Sequence, residues 1–427
     1  MMKILLVEPD FPIPKKSKNH KNFLPIGLLK LHDYYESRGH RTKLVRGNKN
    51  KRKIGTRFKP DQILVTSLFT YWSKYVWETV AYYRNNYPNA KIIIGGIYAS
   101  LMGDDQEFKK KLRKYKASVH FGVHKGAEKY AKNNTLNYSV LNNPSTIDYQ
   151  IIHASRGCIR HCDFCGTWKI EPKFDAKNSI KDEIEHRKLV FYDNNLLPNP
   201  HIEDILHELI ELKRRKQILW CESQSGFDGR KLQETPHLGR LIKKAGFRYP
   251  RVAWDWRYSE YSKIKEQINV LINGGYNSKD IFVFMLYNWD ITFEDMEKKR
   301  IECWKWQVQI ADCRFRPLDQ TFDNYNPRKF GQTNDDYYIH KRTGWNDALV
   351  KQFRKNVRKQ NICVRHSFPF YSKVLEKMRL PKEKIIEVIK NVDQIKTKKE
   401  KKKYLDGENV SYWFPDEITY PKNIGRR

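Results

Sequence analysis

The chain has 427 residues, of which 39% are apolar and 13% aromatic. This length and composition allow a sizeable buried core, which excludes an intrinsically disordered protein and leaves room for two or three domains. The net charge of +33, from 82 Lys and Arg against 49 Asp and Glu, creates a positive field that attracts polyanions. A general lysine bias on solvated helix faces has the same appearance, so charge alone does not identify a substrate.

The sequence also limits the compartment. No apolar run approaches the length of a membrane span, and the short apolar run at the N-terminus is typical of a first strand and not of a signal peptide. The seven cysteines include one close cluster only, which favours a reducing compartment over a disulfide framework. We therefore expect a cytoplasmic protein without a membrane partner.

The first part of the chain alternates strands with helices, which predicts a parallel α/β domain over residues 1–145. The predicted strands are 3–8, 41–45, 62–67, 91–95 and 119–122, and the predicted helices are 24–38 and 72–86. Between the second and third strands lies a basic linker, 47–53, that is too short and polar for a full helix.

The alternation restarts at Tyr149 and predicts six βα units in series, which we assign to a second domain, 146–322. The predicted strands are 149–154, 189–193, 218–223, 251–256, 281–287 and 308–315. The predicted helices between them are 179–188, 202–214, 238–245, 260–273 and 293–304.

The last part, 323–427, has a different character. An Asn/Pro-rich turn region precedes two predicted basic helices, 345–360 and 382–395, and a lysine run at 397–403. We expect a basic, mostly helical extension that serves as a lid or a substrate-binding region.

Three cysteines with the spacing C-x3-C-x2-C, Cys158, Cys162 and Cys165, directly follow the first of the six predicted strands. Cysteine thiolates hold iron–sulfur clusters, and a 4Fe–4S cluster normally takes four of them. Three ligands would leave one iron open to a small molecule. The alternatives are a zinc site that recruits His161 or His153 as a fourth ligand, or three buried structural cysteines.

This spacing, with Phe164 directly before the last cysteine, resembles the signature of the radical S-adenosylmethionine (SAM) superfamily. The position of the loop after the first of six βα units also matches that family. The resemblance implies a partial (βα)6 TIM-like barrel and a 4Fe–4S cluster whose open iron binds the amino and carboxyl groups of SAM. It further implies cleavage of SAM to a 5′-deoxyadenosyl radical that abstracts hydrogen from a substrate, with a reductant such as flavodoxin or ferredoxin. Methylation, rearrangement, oxidation and C–C bond formation all stay open as outcomes.

The resemblance also implies roles for residues at the ends of the later strands, where barrel enzymes build their sites. Asp193 occupies the position of the SAM-amine motif, whose usual Gly-Gly-Glu is replaced here by Tyr-Asp-Asn, although a cap ahead of the next helix is an alternative role. Glu222 and Ser223 would reach the ribose hydroxyls or the methionine part of SAM, and Arg257 would pair with its carboxylate. Cys313, at the end of the sixth strand, is a candidate thiol for hydrogen or methyl transfer.

The first domain resembles the Rossmann-like, cobalamin-binding-type domain that precedes many radical SAM barrels. The resemblance rests on Pro25 to Leu29, on Ser67 and Leu68, and on Gly95 and Gly96 after Ile94, and these last four residues are the candidate corrinoid contacts. The D-x-H-x-x-G motif that supplies a histidine to cobalt is absent, and the 47–53 linker replaces a helix that should wall the pocket. The sequence therefore leaves open whether cobalamin binds.

Two other functions stay open. One is a nucleic-acid-binding protein with a structural or redox-sensing cluster, for which aromatic and basic residues in 71–77 and 345–358 are candidates, although their helical spacing favours core positions. The other is an inactive relative that serves as a scaffold, against which the intact cysteine triad and Asp193 argue. The substrate is unidentified, and a nucleotide, a nucleic acid or another anion would suit the charge.

Overall fold

The computed structural model describes residues 1–13, 24–132, 134–141 and 147–366, with a few isolated positions from 391 on. These residues form two compact units, 1–225 with 316–324, and 226–315 with the described residues from 325 on. The predicted domain boundaries after residues 145 and 322 do not coincide with these units and stay predictions. Most of the predicted helix 382–395 and of the lysine run 397–403 lies outside the described residues.

The first unit begins with a five-stranded parallel sheet of order β2-β1-β3-β4-β5. Its strands are β1 (Lys3–Glu8), β2 (Arg41–Arg46), β3 (Gln62–Ser67), β4 (Lys91–Gly96) and β5 (Ala117–Val119). The helices of this part are α1 (Ile26–Glu36), α2 (Lys51–Ile54), α3 (Ser73–Asn86), α4 (Ile97–Met102), α5 (Gln106–Tyr115) and α6 (Lys125–Ala131). The first four predicted strands and the two predicted helices of this region are confirmed. The fifth strand, predicted at 119–122, lies earlier, at Ala117–Val119.

Both faces of this sheet are covered, which explains the near-continuous apolar strands. Leu5, Ile63 and Ile92 pack on one face in a cluster that includes Trp77 of α3. Ile4, Leu6 and Leu64 pack on the opposite face with Leu28 of α1. The linker at 47–53 forms only the single turn α2, which the Asn50 side chain caps by accepting a 3.0 Å hydrogen bond from the Lys53 amide.

The rest of the first unit contains a three-stranded parallel sheet of order β10-β9-β6 and a small antiparallel hairpin. The sheet consists of β6 (Gln150–Ile152), β9 (Lys188–Phe191) and β10 (Trp220–Ser223). The hairpin pairs β7 (Ser155–Arg156) with β8 (Asp175–Ala176), and the helices are α7 (Thr167–Ile170) and α8 (Ile202–Arg214).

The predicted helix 179–188 is wrong, because this segment contains a 3-10 turn, Lys181–Glu183, followed by extended chain that leads into β9. Two side chains from other elements accept hydrogen bonds from its backbone amides. The side-chain oxygen Oε1 of Gln150 accepts hydrogen bonds from the amides of Glu185 (2.9 Å) and His186 (3.3 Å). Glu208 of α8 accepts another from the Ile180 amide. Tertiary hydrogen bonds thus replace helical ones.

The second unit contains another three-stranded parallel sheet, of order β11-β12-β13. Its strands are β11 (Arg251–Ala253), β12 (Phe282–Tyr287) and β13 (Gln309–Arg314). Its helices are α9 (Gly229–Glu234), α10 (Leu238–Lys244), α11 (Tyr261–Asn273), α12 (Phe293–Lys305) and α13 (Asp347–His366). The chain is therefore a mixed α/β protein with parallel sheets, and all six predicted strands of residues 146–322 occur in it.

Candidate functional site

The cysteine loop is an excursion from a closed stem in the first unit. Ser155 pairs with Ala176 and Arg156 with Asp175 in the β7–β8 hairpin. Gly157 follows with a φ of +77°, and a Cβ atom there would lie 2.2 Å from the carbonyl oxygen of Lys173. Only glycine fits so close to the opposite chain. The Arg-Gly-Cys sequence is thus explained by the sharp exit from the stem into the loop.

A half-buried ion pair joins the two ends of the loop. Arg156 Nη2 lies 2.5 Å from Glu171 Oε1, and Glu171 Oε2 accepts a 3.0 Å hydrogen bond from the Gly157 amide. The Asn194 amide group lies 3.5 Å from the same oxygen. Because its two oxygens bind different groups, the Glu171 carboxylate fixes the position of Arg156 relative to Gly157. The sequence analysis did not identify Glu171, since it lies beyond the cysteine motif.

The three cysteines are half-buried within this loop. Cys158 Sγ accepts hydrogen bonds from the Arg160 amide at 3.3 Å and from Asn195 Nδ2 at 3.6 Å. Cys165 Sγ lies 3.3 Å from Thr167 Oγ1. Donors to sulfur stabilise a thiolate and tune a metal that the thiolate binds. Asn195, which lies two residues after Asp193, is therefore a hydrogen-bond partner of the first cysteine.

Hydrogen bonds also fix the turn between the second and third cysteines. The Cys165 amide donates to the Cys162 carbonyl at 3.0 Å, and Trp168 Nε1 donates to the same carbonyl at 3.1 Å. Phe164 is half-buried in this turn. The turn thus sets the relative position of two of the three thiols.

In the structure the three thiols are not yet in the arrangement of metal ligands. In the part of the chain that the structure describes, no group of three or more His, Cys, Asp or Glu side chains is arranged to hold a metal ion. His153, a candidate zinc ligand, contacts Arg156 Nη1 through its Nε2 at 2.9 Å, and His161 packs against Trp168. The donor set of three loop thiols, one of them with two N–H donors, fits the chemistry of an iron–sulfur cluster.

Asp193 lies beyond the end of β9 and is completely buried. Its carboxylate accepts hydrogen bonds from the amides of Ala154 (3.0 Å) and Ser155 (2.5 Å), and from Ser155 Oγ at 2.8 Å. Burial raises the pKa of Asp193 to about 6, although these hydrogen bonds act in the opposite direction. The carboxylate therefore anchors the chain that leads from β6 into the cysteine loop. This anchoring differs from the helix cap considered above, and it is made mainly through Oδ1, since Oδ2 accepts, among the described residues, only a 3.2 Å hydrogen bond from the Ala154 amide.

The remaining predicted SAM contacts belong to both units. Glu222 and Ser223 are buried at the end of β10 in the first unit, and Glu222 Oε1 accepts a 3.0 Å hydrogen bond from Gln224. Arg257 is exposed in the second unit, after β11. Cys313 is exposed on β13 of the same unit. The structure thus brings Asp193, Asn195 and the cysteine loop together within the first unit.

The buried Lys299 holds the turn that carries Arg257. Its Nζ donates to the carbonyls of Trp254 (2.5 Å) and Trp256 (2.8 Å). Burial lowers the pKa of Lys299 to about 8 and raises the pKa of Asp255, its charged neighbour, to about 6.

We expect Lys299→Met to lower the free energy of unfolding by about 3–5 kcal/mol, because it removes the cation beside the Asp255 carboxylate and the donor that the Trp254 and Trp256 carbonyls share. Urea unfolding of the full chain measures this change. Lys298→Met, next to it on α12, where the side chain is 42% exposed, is the control and should change stability by less than about 0.5 kcal/mol. Equal effects of the two variants would contradict the assignment.

The candidate corrinoid contacts are tied to each other. Ser67 Oγ donates to the Gly95 carbonyl at 2.7 Å, and it accepts a 3.0 Å hydrogen bond from the Ala99 amide. Gly96 has a φ of +94°, and a Cβ atom there would lie 2.2 Å from the Ser67 carbonyl oxygen. The Tyr98 amide donates to the Leu68 carbonyl at 2.9 Å. A corrinoid inserted between these two strand ends would compete with these hydrogen bonds.

We therefore expect the purified protein to retain no corrinoid. After incubation with hydroxocobalamin and desalting, its visible spectrum should match that of a sample carried through without the corrinoid. Retention of about one corrinoid per chain would contradict this expectation.

Two of the candidate base-stacking residues lie in the core, whereas Tyr71, Trp72 and Tyr75 are half-buried. Trp77 and Trp345 are 6% and 2% exposed, and both pack in aromatic clusters. Neither can stack on a base without unfolding of its surroundings.

Among the described residues, no helix is long and apolar enough to cross a membrane. In comparisons with known proteins, no family model matches this sequence, and no curated protein is detectably similar to it.

Proposed function

We propose that this chain is a radical SAM enzyme. The observation that carries the proposal is the cysteine loop: three half-buried thiols follow the first strand of a parallel sheet, on a stem closed by Arg156 and Glu171. Two N–H groups donate to Cys158 Sγ. A structural zinc site would require a fourth N or S ligand, whereas His153 Nε2 contacts Arg156 and His161 packs against Trp168.

We infer the finer architecture from the same observations. Residues 1–145 would form a Rossmann-like domain of the cobalamin-binding type, and the strand order β2-β1-β3-β4-β5 supports this. Residues 146–322 would form the partial (βα)6 barrel, supported by six parallel strands in two three-stranded sheets. Residues 323–427 would form the basic C-terminal extension.

In this proposal each group of residues has a defined task. Cys158, Cys162 and Cys165 hold a 4Fe–4S cluster, which would supply the electron for cleavage of SAM to a 5′-deoxyadenosyl radical. Asn195 and the Arg160 amide stabilise the Cys158 thiolate. Glu222, Ser223 and Arg257 are the proposed SAM contacts, and Cys313 is the proposed hydrogen-transfer thiol. Asp193 acts as a positioning residue for the loop.

The partners follow from the same proposal. The reductant would be a flavodoxin or a ferredoxin, and an oxygen-sensitive cluster in a chain with seven cysteines suits the reducing cytoplasm. A net charge of +33 favours an anionic substrate, such as a nucleotide or a nucleic acid.

Anaerobic reconstitution tests the proposal directly. The full chain, treated with iron and sulfide, should bind about four irons and give a reduced-state paramagnetic resonance spectrum that changes when SAM is added. Incubation with SAM and dithionite should yield 5′-deoxyadenosine, measured by mass spectrometry. A four-iron protein that leaves SAM intact and binds nucleic acid would favour the structural or redox-sensing cluster instead.

A further inference from the structure

A cavity of about 770 Å³ lies within the first unit, beside the stem of the cysteine loop. Residues of β6, α6 and the stem line it, and the proposed function assigns it no role. Its walls are partly apolar, through Ile151, Ile152, Ile170 and Phe174. This volume is typical of sites for small molecules.

Buried charged groups line one part of the cavity. Lys30, whose side chain is 7% exposed, places Nζ 2.8 Å from Glu128 Oε2. Arg156 Nε is buried and has no hydrogen-bond partner among the described residues. Glu128 Oε2, at 3.8 Å, is too far away to accept a hydrogen bond from it. A buried guanidinium N–H in this state is a donor for a ligand oxygen. Burial, with the positive charges of Lys30, Arg156 and Lys177, holds the pKa of His153 well below its usual range.

The charges that line the cavity do not balance. Seven Lys or Arg side chains face four Asp or Glu side chains. Each of the four acids has its own cation, in the pairs Lys30–Glu128, Arg156–Glu171, Lys132–Asp175 and Lys177–Glu183. The three cations left over, Lys125, Lys129 and Lys173, are exposed and form no ion pair with any described residue. The acids are thus neutralised, and an excess of positive charge stays at the cavity.

We propose that this cavity binds a small organic anion, whose apolar part packs against the isoleucine side chains. Its acidic group would lie near Arg156 Nε and Lys30, and the exposed lysines of α6 would attract it. The proposal does not depend on the cysteines, because the cavity-lining groups hold their positions through protein contacts alone.

Two fluorescent probes with a similar apolar part test the proposal on the full chain. The anionic probe is 1-anilinonaphthalene-8-sulfonate, and the uncharged one is N-phenyl-1-naphthylamine. We expect saturable binding of the anionic probe at about one site per chain. Ala131→Trp, at the last turn of α6, should abolish this binding because it fills the cavity.

Charge reversal at the exposed lysines gives a test that leaves the core intact. Lys125→Glu with Lys129→Glu should weaken binding of the anionic probe by about threefold or more and leave the uncharged probe within about twofold. Arg113→Glu with Lys114→Glu on α5 carries the same charge change away from the cavity and is the control. Unchanged anionic-probe binding in the Lys125/Lys129 variant would overturn the proposal, as would full binding by a folded Ala131→Trp. If Ala131→Trp does not fold, the lysine variant decides.

Discussion

Alanine at any one of Cys158, Cys162 or Cys165 should remove SAM cleavage from the reconstituted enzyme. Each thiolate would be one of only three protein ligands, and two ligands cannot hold the cluster against loss to solvent. Loss of outer partners alone typically costs 10–100-fold in metal affinity or activity, so loss of a ligand should cost more than about 100-fold in 5′-deoxyadenosine formation. Iron per chain and product yield, measured on the same samples, check this result.

Two control variants make the cysteine test specific. Cys313→Ala changes an exposed cysteine in the second unit, and since its proposed hydrogen transfer follows SAM cleavage, the variant should keep both iron and 5′-deoxyadenosine formation. Asn195→Ala removes one donor from Cys158 Sγ and should give an intermediate loss, about tenfold or more. SAM cleavage that survives Cys162→Ala would contradict the radical SAM assignment.

Much of the fold can be predicted from the sequence, because the parallel strands are buried on both faces. Ile63, Leu64 and Val65 of β3 are all buried, so an unbroken apolar run marks this strand. The segment 179–188 was wrongly predicted as a helix, because distant residues and not its own sequence determine its conformation. Its polar residues have helical spacing, but Gln150, more than thirty residues earlier, takes up its amides. A contact of that separation leaves no local pattern in the sequence.

The candidate site was predictable to the same degree. The cysteine spacing is local, and it identified the loop together with its position after the first strand of its sheet. The role of Asp193 depends on Ser155, 38 residues away, whose amide and hydroxyl donate hydrogen bonds to the carboxylate. Glu171 and Asn195 became visible only once the stem and the end of β9 were placed beside each other. The sequence therefore predicts which residues could bind a metal, but it does not predict the hydrogen-bond partners that come from distant elements.

Asp193→Ala should destabilise the first unit and disable the cysteine loop together. The substitution leaves the buried amides of Ala154 and Ser155 and the Ser155 hydroxyl without their acceptor. Each unsatisfied buried donor costs about 1–3 kcal/mol, so we expect a loss of about 3–5 kcal/mol in the free energy of unfolding. Urea unfolding measures this loss. Iron retention after reconstitution should fall in parallel, because the chain entering the loop loses its anchor.

Asp193→Asn separates this positioning role from direct SAM binding through the pH dependence of stability. The folded pKa of about 6 exceeds the ordinary aspartate pKa of 3.8, so the wild-type carboxyl contributes stability that is present below about pH 4 and lost as the pH rises through 6. The asparagine variant lacks this change, and its deficit relative to wild type should narrow by about 2–3 kcal/mol between pH 4 and pH 7. Asp255 and Asp312, with similarly raised pKa values, are present in both proteins and cancel in the difference. An Asp193→Asn protein with wild-type stability at every pH and a ten- to hundredfold weaker affinity for SAM would instead show that the carboxylate binds the SAM ammonium.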